Sequence, residues 1–328
     1  FERLMELKAR GMTIIFISHK LQEVKRISDR ITVLKAGVTK GTYLTKDVSE
    51  EDISNLMVGH EISWEYDKEK VTPGEAVLKV ENLKYVDKFK VPKLSGVSME
   101  VRKGEIVGIA GVEGNGQSEL ISIITGNMKA IDGKVFLEGK EITHETVPHI
   151  RQIGMAHVPE DRMVDGCAPD MTVQENLTVS NIDTFANKFG MIEKAKIKAH
   201  CHEQIEEFMV KTKDENQPIR SLSGGNIQKV IVAREFKAPG DLLVLNQPTR
   251  GVDVGAISFI HSKILEMRSH EKAILLVSAD LNELISLSDR ILVMHKGKVV
   301  ASLSNSPKVT EQELGLYMLG LKKQEGLG

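Results

Sequence analysis

Short apolar runs that end at a turn or a helix start recur along the chain. Four segments carry them: Ile14–Ile17, Gly104–Ala110, Leu242–Leu245 and Ile274–Val277. Apolar runs of this length are typical of strands that are buried in the sheet of an α/β domain. Glu119–Ile124 and Ile227–Phe236 have the composition of helices that follow such strands. The pattern therefore predicts alternating strands and helices around a buried sheet.

A repeat at a spacing of about 260 residues organises the chain. Residues 14–23 match residues 274–283, and the match continues from residues 28–33 to residues 288–293. Each copy predicts the order strand, helix, strand, turn, strand. We therefore expect two domains of one kind, with only the tail of the first on this chain.

The repeat sets the expected domain boundaries. The predicted segments are a first-domain tail at 1–62, a polar linker at 63–75, a second domain at 76–321 and a disordered tail at 322–328. Phe1–Arg10 has a helical pattern with no start methionine and no cap. We interpret the chain as a fragment whose N-terminal portion is missing.

Composition and charge exclude several classes of function. The chain has 44 Lys and Arg against 46 Asp and Glu, a net charge of −2, so no basic surface predicts nucleic-acid binding. No apolar run approaches the ~20 residues that span a bilayer, so a membrane role would need a partner. Cys167 and Cys201 lack the spacing of a metal motif, and we expect both to be free thiols.

A glycine-rich turn follows the strand at Gly104–Ala110. Strand, glycine-rich turn and helix is the context of a phosphate-binding loop, where backbone N–H groups and a helix N-terminus face the phosphate. The pattern G-x-x-x-x-G-K-[ST] fits here except that Gln117 replaces the lysine. The alternative is an ordinary strand–turn–helix with a glycine-rich turn. The candidate nucleotide-binding residues are Gly111, Gly114, Asn115, Gly116, Gln117, Ser118 and Glu119.

A second motif makes the phosphate-loop interpretation specific. The segment reads Leu222, Ser223, Gly224, Gly225, Asn226. It resembles the signature motif of the ABC ATPase family, which binds the γ-phosphate held by a partner domain. The resemblance implies a P-loop NTPase fold of the α/β class, with a central mixed sheet, an antiparallel β subdomain and a helical subdomain at about residues 165–222. It also implies ATP and Mg²⁺ as ligands.

The same resemblance identifies the hydrolytic positions, and they are altered. Asn246 and Gln247 stand where the family has the Asp that helps to hold Mg²⁺ and the Glu that positions water. Ala279 stands at the switch histidine, which the first copy retains as His19. With Gln117, four positions of one site are neutral, which predicts weak Mg²⁺ binding at Ser118 and Asn246 and no hydrolysis. Engineered substitution is an alternative for Gln247.

ABC domains pair head to tail, so each ATP site takes the switch histidine from one domain and the signature from the other. His19 and the signature Leu222–Gly225 would thus serve the same composite site, which we expect to be the competent one. Asp253 falls in the family's D-loop. We expect the second site to bind nucleotide at best, and the fragment alone to be inactive.

Asn226 after the signature glycines and the segment Pro248–Asp253 resemble the importers of simple sugars. Three further segments resemble more closely the importers of nucleosides: Gly114–Gln117, Gln247–Gly251 and Gly255–His261. Glu160 occupies the loop that couples the ATPase to its permease in this family. The implied partners are transmembrane permease subunits and, through them, an extracellular or periplasmic solute-binding protein, with the chain on the cytoplasmic face of the membrane. Tyr85 and Phe89 are candidates for stacking on adenine, although each is as readily core or surface.

Two other classes of function remain open at this stage. One is a regulatory module that binds nucleotide without hydrolysis. The other is a soluble ABC protein without a transport role, which would carry a basic arm between domains and consensus catalytic residues. The linker Glu61–Glu75 is acidic to neutral, which disfavours the last class.

Overall fold

The structure is a computed structural model, and it describes residues 1–18, 21–35, 37–58, 66, 68, 71–306 and 308–324. The chain divides into two compact units. The first comprises residues 1–65 with 252–259, and the second comprises residues 66–251 with 260–328. Tyr66 and Lys68 are therefore the described residues of the predicted linker that precede Val71.

The first unit contains the first copy of the repeat. Its elements are α1 (Glu2–Ala9), α2 (Leu21–Ile27), β1 (Arg30–Lys35), β2 (Val38–Leu44) and α3 (Glu50–Val58). The two strands pair antiparallel. Ile31, Val33, Val48 and Ile53 form its small buried cluster.

The rest of the chain contains ten strands and eight α-helices among the described residues. The strands are β3 (Ala76–Val86), β4 (Pro92–Arg102), β5 (Ile106–Ala110), β6 (Asp132–Leu137), β7 (Lys140–Glu141), β8 (Met155–Val158), β9 (Leu242–Asn246), β10 (Ala273–Val277), β11 (Arg290–His295) and β12 (Lys298–Ser304). The helices are α4 (Gln117–Ile124), α5 (Val147–Ile153), α6 (Val173–Thr178), α7 (Lys194–Glu207), α8 (Gly224–Phe236), α9 (Val254–Ser269), α10 (Leu281–Leu287) and α11 (Glu311–Met318).

Two sheets build the second unit. A six-stranded sheet has the order β12-β11-β5-β10-β9-β8, parallel except for the antiparallel pair β11–β12. A four-stranded antiparallel sheet has the order β4-β3-β6-β7. Strands β5, β9 and β10 are buried along their whole length, because both faces of a parallel sheet are covered. The predicted α/β class with a mixed sheet and an antiparallel sheet is confirmed.

The repeat has a structural counterpart. β1 and β2 pair Arg30 with Leu44, and β11 and β12 pair Arg290 with Ser304 in the same register. Each hairpin has its irregularity at the equivalent place, after Val33 and after Val293. The predicted helix–strand–turn–strand order is thus confirmed in both copies.

The first strand of the first copy is not formed. Residues 12–18 have no strand assignment, and Ile15 and Ile17 are 90% and 94% exposed. The equivalent strand β10 lies between β5 and β9 and takes its hydrogen bonds from them. Within the described residues, the segment at 12–18 has no strand on either side. The prediction of a strand at Ile14–Ile17 is therefore wrong in this structure, since a strand requires a neighbour.

Helices occupy the region predicted as the helical subdomain. α6 and α7 lie where the sequence predicted helices, with a π-helical turn at Arg162–Gly166 before them. Thr172 caps α6, accepting from the Glu175 N–H at 3.1 Å while the Glu175 carboxylate accepts from the Thr172 N–H. This reciprocal cap fixes where the first of these helices begins.

The predicted disordered tail needs a correction at its start. The Gln324 N–H donates to Val300 O at 3.0 Å, and the Gln324 side chain accepts from Ser302 N at 2.8 Å. Lys322 pairs with Glu313 of α11. The edge strand β12 thus holds Gln324, and α11 holds Lys322. Residues 325–328 lie outside the described part of the chain.

Candidate nucleotide-binding site

The glycine-rich loop joins β5 to α4. Gly114 and Gly116 have φ angles of +87° and +103°, in the left-handed region that glycine enters without strain. A Cβ on Gly116 would lie 2.5 Å from Lys93 O, so only glycine fits there. The loop has the strand–turn–helix form that the sequence predicted, with the N-terminus of α4 at its end.

Asn115 fastens the loop to the turn between β11 and β12. Its side-chain oxygen accepts from the Lys296 N–H at 2.8 Å, and its carbonyl accepts from the Gly297 N–H at 3.1 Å. The same turn holds β4, because Gly297 O accepts from Ser95 N at 2.8 Å. These bonds fix the loop backbone against the antiparallel sheet.

Gln117 folds back over the loop. Its side chain is buried, and its amide nitrogen donates to Val112 O at 3.3 Å. A Cβ on Gly111 would lie 2.2 Å from that nitrogen, so the amide uses space that the glycine leaves. A neutral donor therefore occupies the place of the motif's lysine. Ser118 is exposed beside it.

The altered hydrolytic positions lie at the ends of β9 and β10. Asn246 is the last residue of β9 and is buried. Gln247 follows with φ +53°, and its N–H donates to Val277 O at 2.8 Å. Its side-chain oxygen accepts from the Ala279 N–H at 3.1 Å. The structure thus brings Gln247 and Ala279 together, as the sequence predicted, through an amide rather than a carboxylate.

A cavity of about 720 Å³ lies beside these residues. Ser118, Asn246 and Glu160 all line it, so three of the predicted site residues share one space. The signature residues Leu222–Asn226 do not line this cavity.

His157 lines the same cavity, and the pKa of its side chain is lowered. Burial lowers the pKa of His157 to about 4, outweighing the attraction of Glu235. Its ring Nε2 is buried, and no described residue hydrogen-bonds to it. Glu235 is fully buried and accepts from Arg151 at 2.8 Å and Arg234 at 2.7 Å. His157 is therefore neutral at physiological pH.

The signature opens α8. Ser223 is the exposed residue before the helix, and Gly224 and Gly225 form its first turn. The Asn226 amide donates to the Ser223 hydroxyl at 2.8 Å, and its oxygen accepts from Lys211 N at 2.8 Å. The serine hydroxyl and the free N–H groups of a helix start suit an anion.

Two further predicted residues have clear contacts. Glu160, in the loop after β8, forms an ion pair with Arg250. Asp253 precedes α9 and accepts from Ala256 N at 3.0 Å, which makes it the cap of that helix. The predicted switch residue His19 lies outside the described residues.

A buried polar chain near the site was not predicted. The Glu283 carboxylate accepts from Thr249 at 2.6 Å and lies 2.8 Å from His261 Nε2, while Tyr66 lies 3.1 Å from His261 Nδ1. Glu283 and His261 are only 4% and 3% exposed. The sequence signal was weak, because one Glu in a short helix usually faces solvent.

Other candidates separate by exposure. Tyr85 packs against the core of the second unit, whereas Phe89 is 75% exposed in the turn between β3 and β4. Tyr85 is therefore a core residue here, and Phe89 is the one available to a ligand. Cys167 and Cys201 are both free, and burial raises the pKa of Cys201 to about 12.

The donor groups present suit a phosphate better than a metal ion. Ser118 and Asn246 offer neutral oxygen atoms, and Mg²⁺ is usually held by carboxylates together with phosphate oxygens. A nucleotide would therefore depend on loop amides, the α4 N-terminus and Ser118.

No helix among the described residues is long and apolar enough to cross a membrane.

Comparison with known proteins identifies the family whose members share this sequence pattern. Residues 94–250 match the family described as ABC transporter. The chain is 41% identical to the nucleoside import ATP-binding protein NupA of Lactococcus lactis, over 94% of this chain and 61% of that protein. It is 42% identical to the glucose import ATP-binding protein TsgD13 of Haloferax volcanii, over 98% of this chain and 58% of that protein.

A solved structure agrees with these relatives. The ADP conformation of MJ1267, an ATP-binding cassette of an ABC transporter, aligns with a TM-score of 0.59 at 26% identity. The alignment covers 75% of this chain and 95% of that one. The chain spans about three fifths of the length of the curated relatives it matches. Residues 94–250 form a domain of the ABC transporter family, and the fold is that of an ABC ATPase cassette.

Proposed function

We propose that this chain is part of the nucleotide-binding subunit of an ABC importer for a small solute, a nucleoside or a simple sugar. The observation that carries the proposal is the pairing of a phosphate loop at Gly111–Ser118 with an intact signature at the start of α8. Relatives named for nucleoside import and for glucose import are equally similar, so both solutes are retained.

Within this subunit, the site built on Gln117 holds nucleotide without hydrolysing it. Phosphoryl transfer depends on positioning and on charge stabilisation, and Gln117, Asn246, Gln247 and Ala279 each lack the charge or base that the family uses. The intact Leu222–Gly225 signature serves the site of the first domain, where His19 is the switch. The intact protein is then a transport ATPase with one competent site.

A second candidate is a regulatory module that binds nucleotide as a signal. The side chain of Gln117 favours this candidate. Its amide donates to Val112 O within the loop and supplies no cation for hydrolysis, which suits binding without turnover. The third class, a soluble ABC protein without a transport role that acts on ribosomes or DNA, is supported neither by the charge of the chain nor by the altered catalytic positions.

The loop that contains Glu160 indicates which partners the protein would bind. Glu160 lines the cavity. Its loop would face permease subunits on the cytoplasmic side of the membrane, and a solute-binding protein would be reached through them. ATP with weakly held Mg²⁺ is the proposed ligand, and nucleic acid is not proposed as one.

Affinity capture tests the proposal. The tagged protein would be captured from detergent-solubilised membranes of its own cells, with Glu160→Ala as a paired variant. We expect two multi-span permeases to co-purify, in reduced yield with the variant. Capture of ribosomal subunits without permeases would overturn the transport assignment.

A further inference from the structure

The loop after β8 is joined to the turn after β9. The Arg162 guanidinium donates to Arg250 O at 2.7 Å through Nη1 and to Gly251 O at 3.3 Å through Nη2. In the other direction, the Arg250 side chain pairs with Glu160. Two loops that are about 90 residues apart in sequence therefore hold each other through both backbone and side chain.

Arg162 also lies against the start of the signature helix. A Cβ on Gly224 would lie 2.7 Å from Arg162 Nη2 and 3.2 Å from its Cζ. The guanidinium thus occupies the space that the first signature glycine leaves open. One planar group touches the signature and the turn at Arg250–Gly251 at once.

The backbone that carries Arg162 is itself fixed. Asp161 accepts from Met163 N at 2.9 Å and from Val164 N at 3.1 Å, and so caps the π-helical turn that Arg162 begins. These bonds hold the pKa of Asp161 below its usual range, so the cap is charged at neutral pH. Gly166, at the end of the turn, packs against Ile231 of α8.

We propose that Arg162 is a positioning residue. It fixes the start of the signature helix and the Arg250–Gly251 turn in position relative to the loop at Pro159–Arg162. The inference rests on the proposed function, because the signature matters only if it completes an ATP site. The physical reason is geometric: a guanidinium presents two parallel donors to two carbonyls, whereas an ammonium presents a single point.

The Glu160–Arg250 ion pair is the weaker part of this link. The Arg250 side chain is 64% exposed, and exposed pairs contribute little because water screens them. The backbone carbonyls of Arg250 and Gly251 are the contacts that decide the position of the turn. Arg162 is therefore the residue to change.

Hydrogen exchange of single amides tests the proposal. Two amides report on the two sides: Arg250 N, bonded to Gln247 O at 3.1 Å, and Ile227 N, bonded to Ser223 O at 2.9 Å. In Arg162→Lys and Arg162→Gln we expect both to exchange roughly tenfold faster, the effect of one lost charge-assisted hydrogen bond. Gln247 N, which is bonded to β10, should be unchanged.

The matched control is Arg220→Gln. Arg220 pairs with the exposed carboxylate of Asp170, so this variant removes the same charge. It should leave both reporter amides as in the wild type. Unchanged exchange in both Arg162 variants would overturn the proposal. Faster exchange spread evenly over all amides would overturn it too, since that result indicates general destabilisation.

Gly224→Ala gives an independent test that keeps the arginine. Its Cβ displaces the guanidinium but lies 3.6 Å from Gly251 O, an ordinary van der Waals distance. We therefore expect the Arg250 amide to exchange faster because the arginine has moved. Unchanged exchange at Arg250 in this variant would contradict the proposal. Because exchange is measured without nucleotide, these results do not depend on whether the chain binds ATP or serves a transporter.

Discussion

At Gln117 a neutral amide stands where a phosphate loop carries its lysine. The amide nitrogen already donates to Val112 O, so nucleotide phosphates would meet no cation from this residue. The rest of the loop, from Gly111 to Ser118, keeps its glycines and its helix start. We therefore expect Gln117 to be the main cause of weak ATP binding at this site, which a single substitution tests.

Gln117→Lys is expected to tighten ATP binding roughly tenfold, because a charged group would reach the phosphates. Isothermal titration of this chain with MgATP measures the change. Glu113→Gln is the matched control, since it shifts the charge of the same exposed loop by one unit without reaching the phosphates. Equal tightening in both variants would show that only general charge matters.

His157 provides a residue-scale test by pH. Burial lowers its pKa to about 4 in the folded protein, against about 6.5 in an unfolded chain. A depressed pKa means that the unfolded chain takes up the proton first. Its stabilising contribution is complete above pH 6.5 and is lost as the pH falls towards 4.

The comparison is between the wild type and His157→Gln, a neutral substitute. We expect the wild type to lose about 2–3 kcal/mol of unfolding free energy more than the variant between pH 6.5 and 4. Urea unfolding at several pH values measures this difference. Parallel curves for the two proteins would rule out a buried neutral histidine.

At the scale of elements, Glu283 links three of them. Its carboxylate lies between Thr249 after β9 and His261 of α9, while its own backbone belongs to α10. Because its second oxygen is buried and no described residue hydrogen-bonds to it, this carboxylate depends on those two partners. The end of β9, which carries Asn246 and Gln247, is thus held through a buried group.

Glu283→Ala should lower the free energy of unfolding by about 2–4 kcal/mol, because buried partners lose their acceptor. Glu283→Gln keeps an oxygen and should cost less. The control Glu313→Ala breaks only the Lys322 pair on the surface, which is worth about 0–1 kcal/mol. Urea denaturation compares the three variants, and an equal loss for Glu283 and Glu313 would contradict the account.

For the whole molecule, the sequence predicted most of what apolar pattern controls. Strands β5, β9 and β10 coincide with buried apolar runs, since only such runs fill the middle of a parallel sheet. The matching run at Ile14–Ile17 failed, because a strand is formed by its neighbours and none is described beside this segment. Pattern alone does not supply a neighbour.

The site divides in the same way. Local spacing predicted the loop at Gly111–Ser118 and the signature, since their conformations are set by adjacent residues. The contact of Arg162 with Arg250 O and the burial of Glu283 could not be predicted, because they join residues that are distant in sequence. Only the folded sheet brings these residues together.

The central claim is that this domain has a phosphate site without hydrolysis. Phosphate release by the purified chain at saturating MgATP tests it directly, with Ser118→Ala as the paired variant. The account predicts release equal to a mock preparation for both proteins. Release above the mock level that disappears with Ser118→Ala would contradict the claim, because it would show turnover at this site.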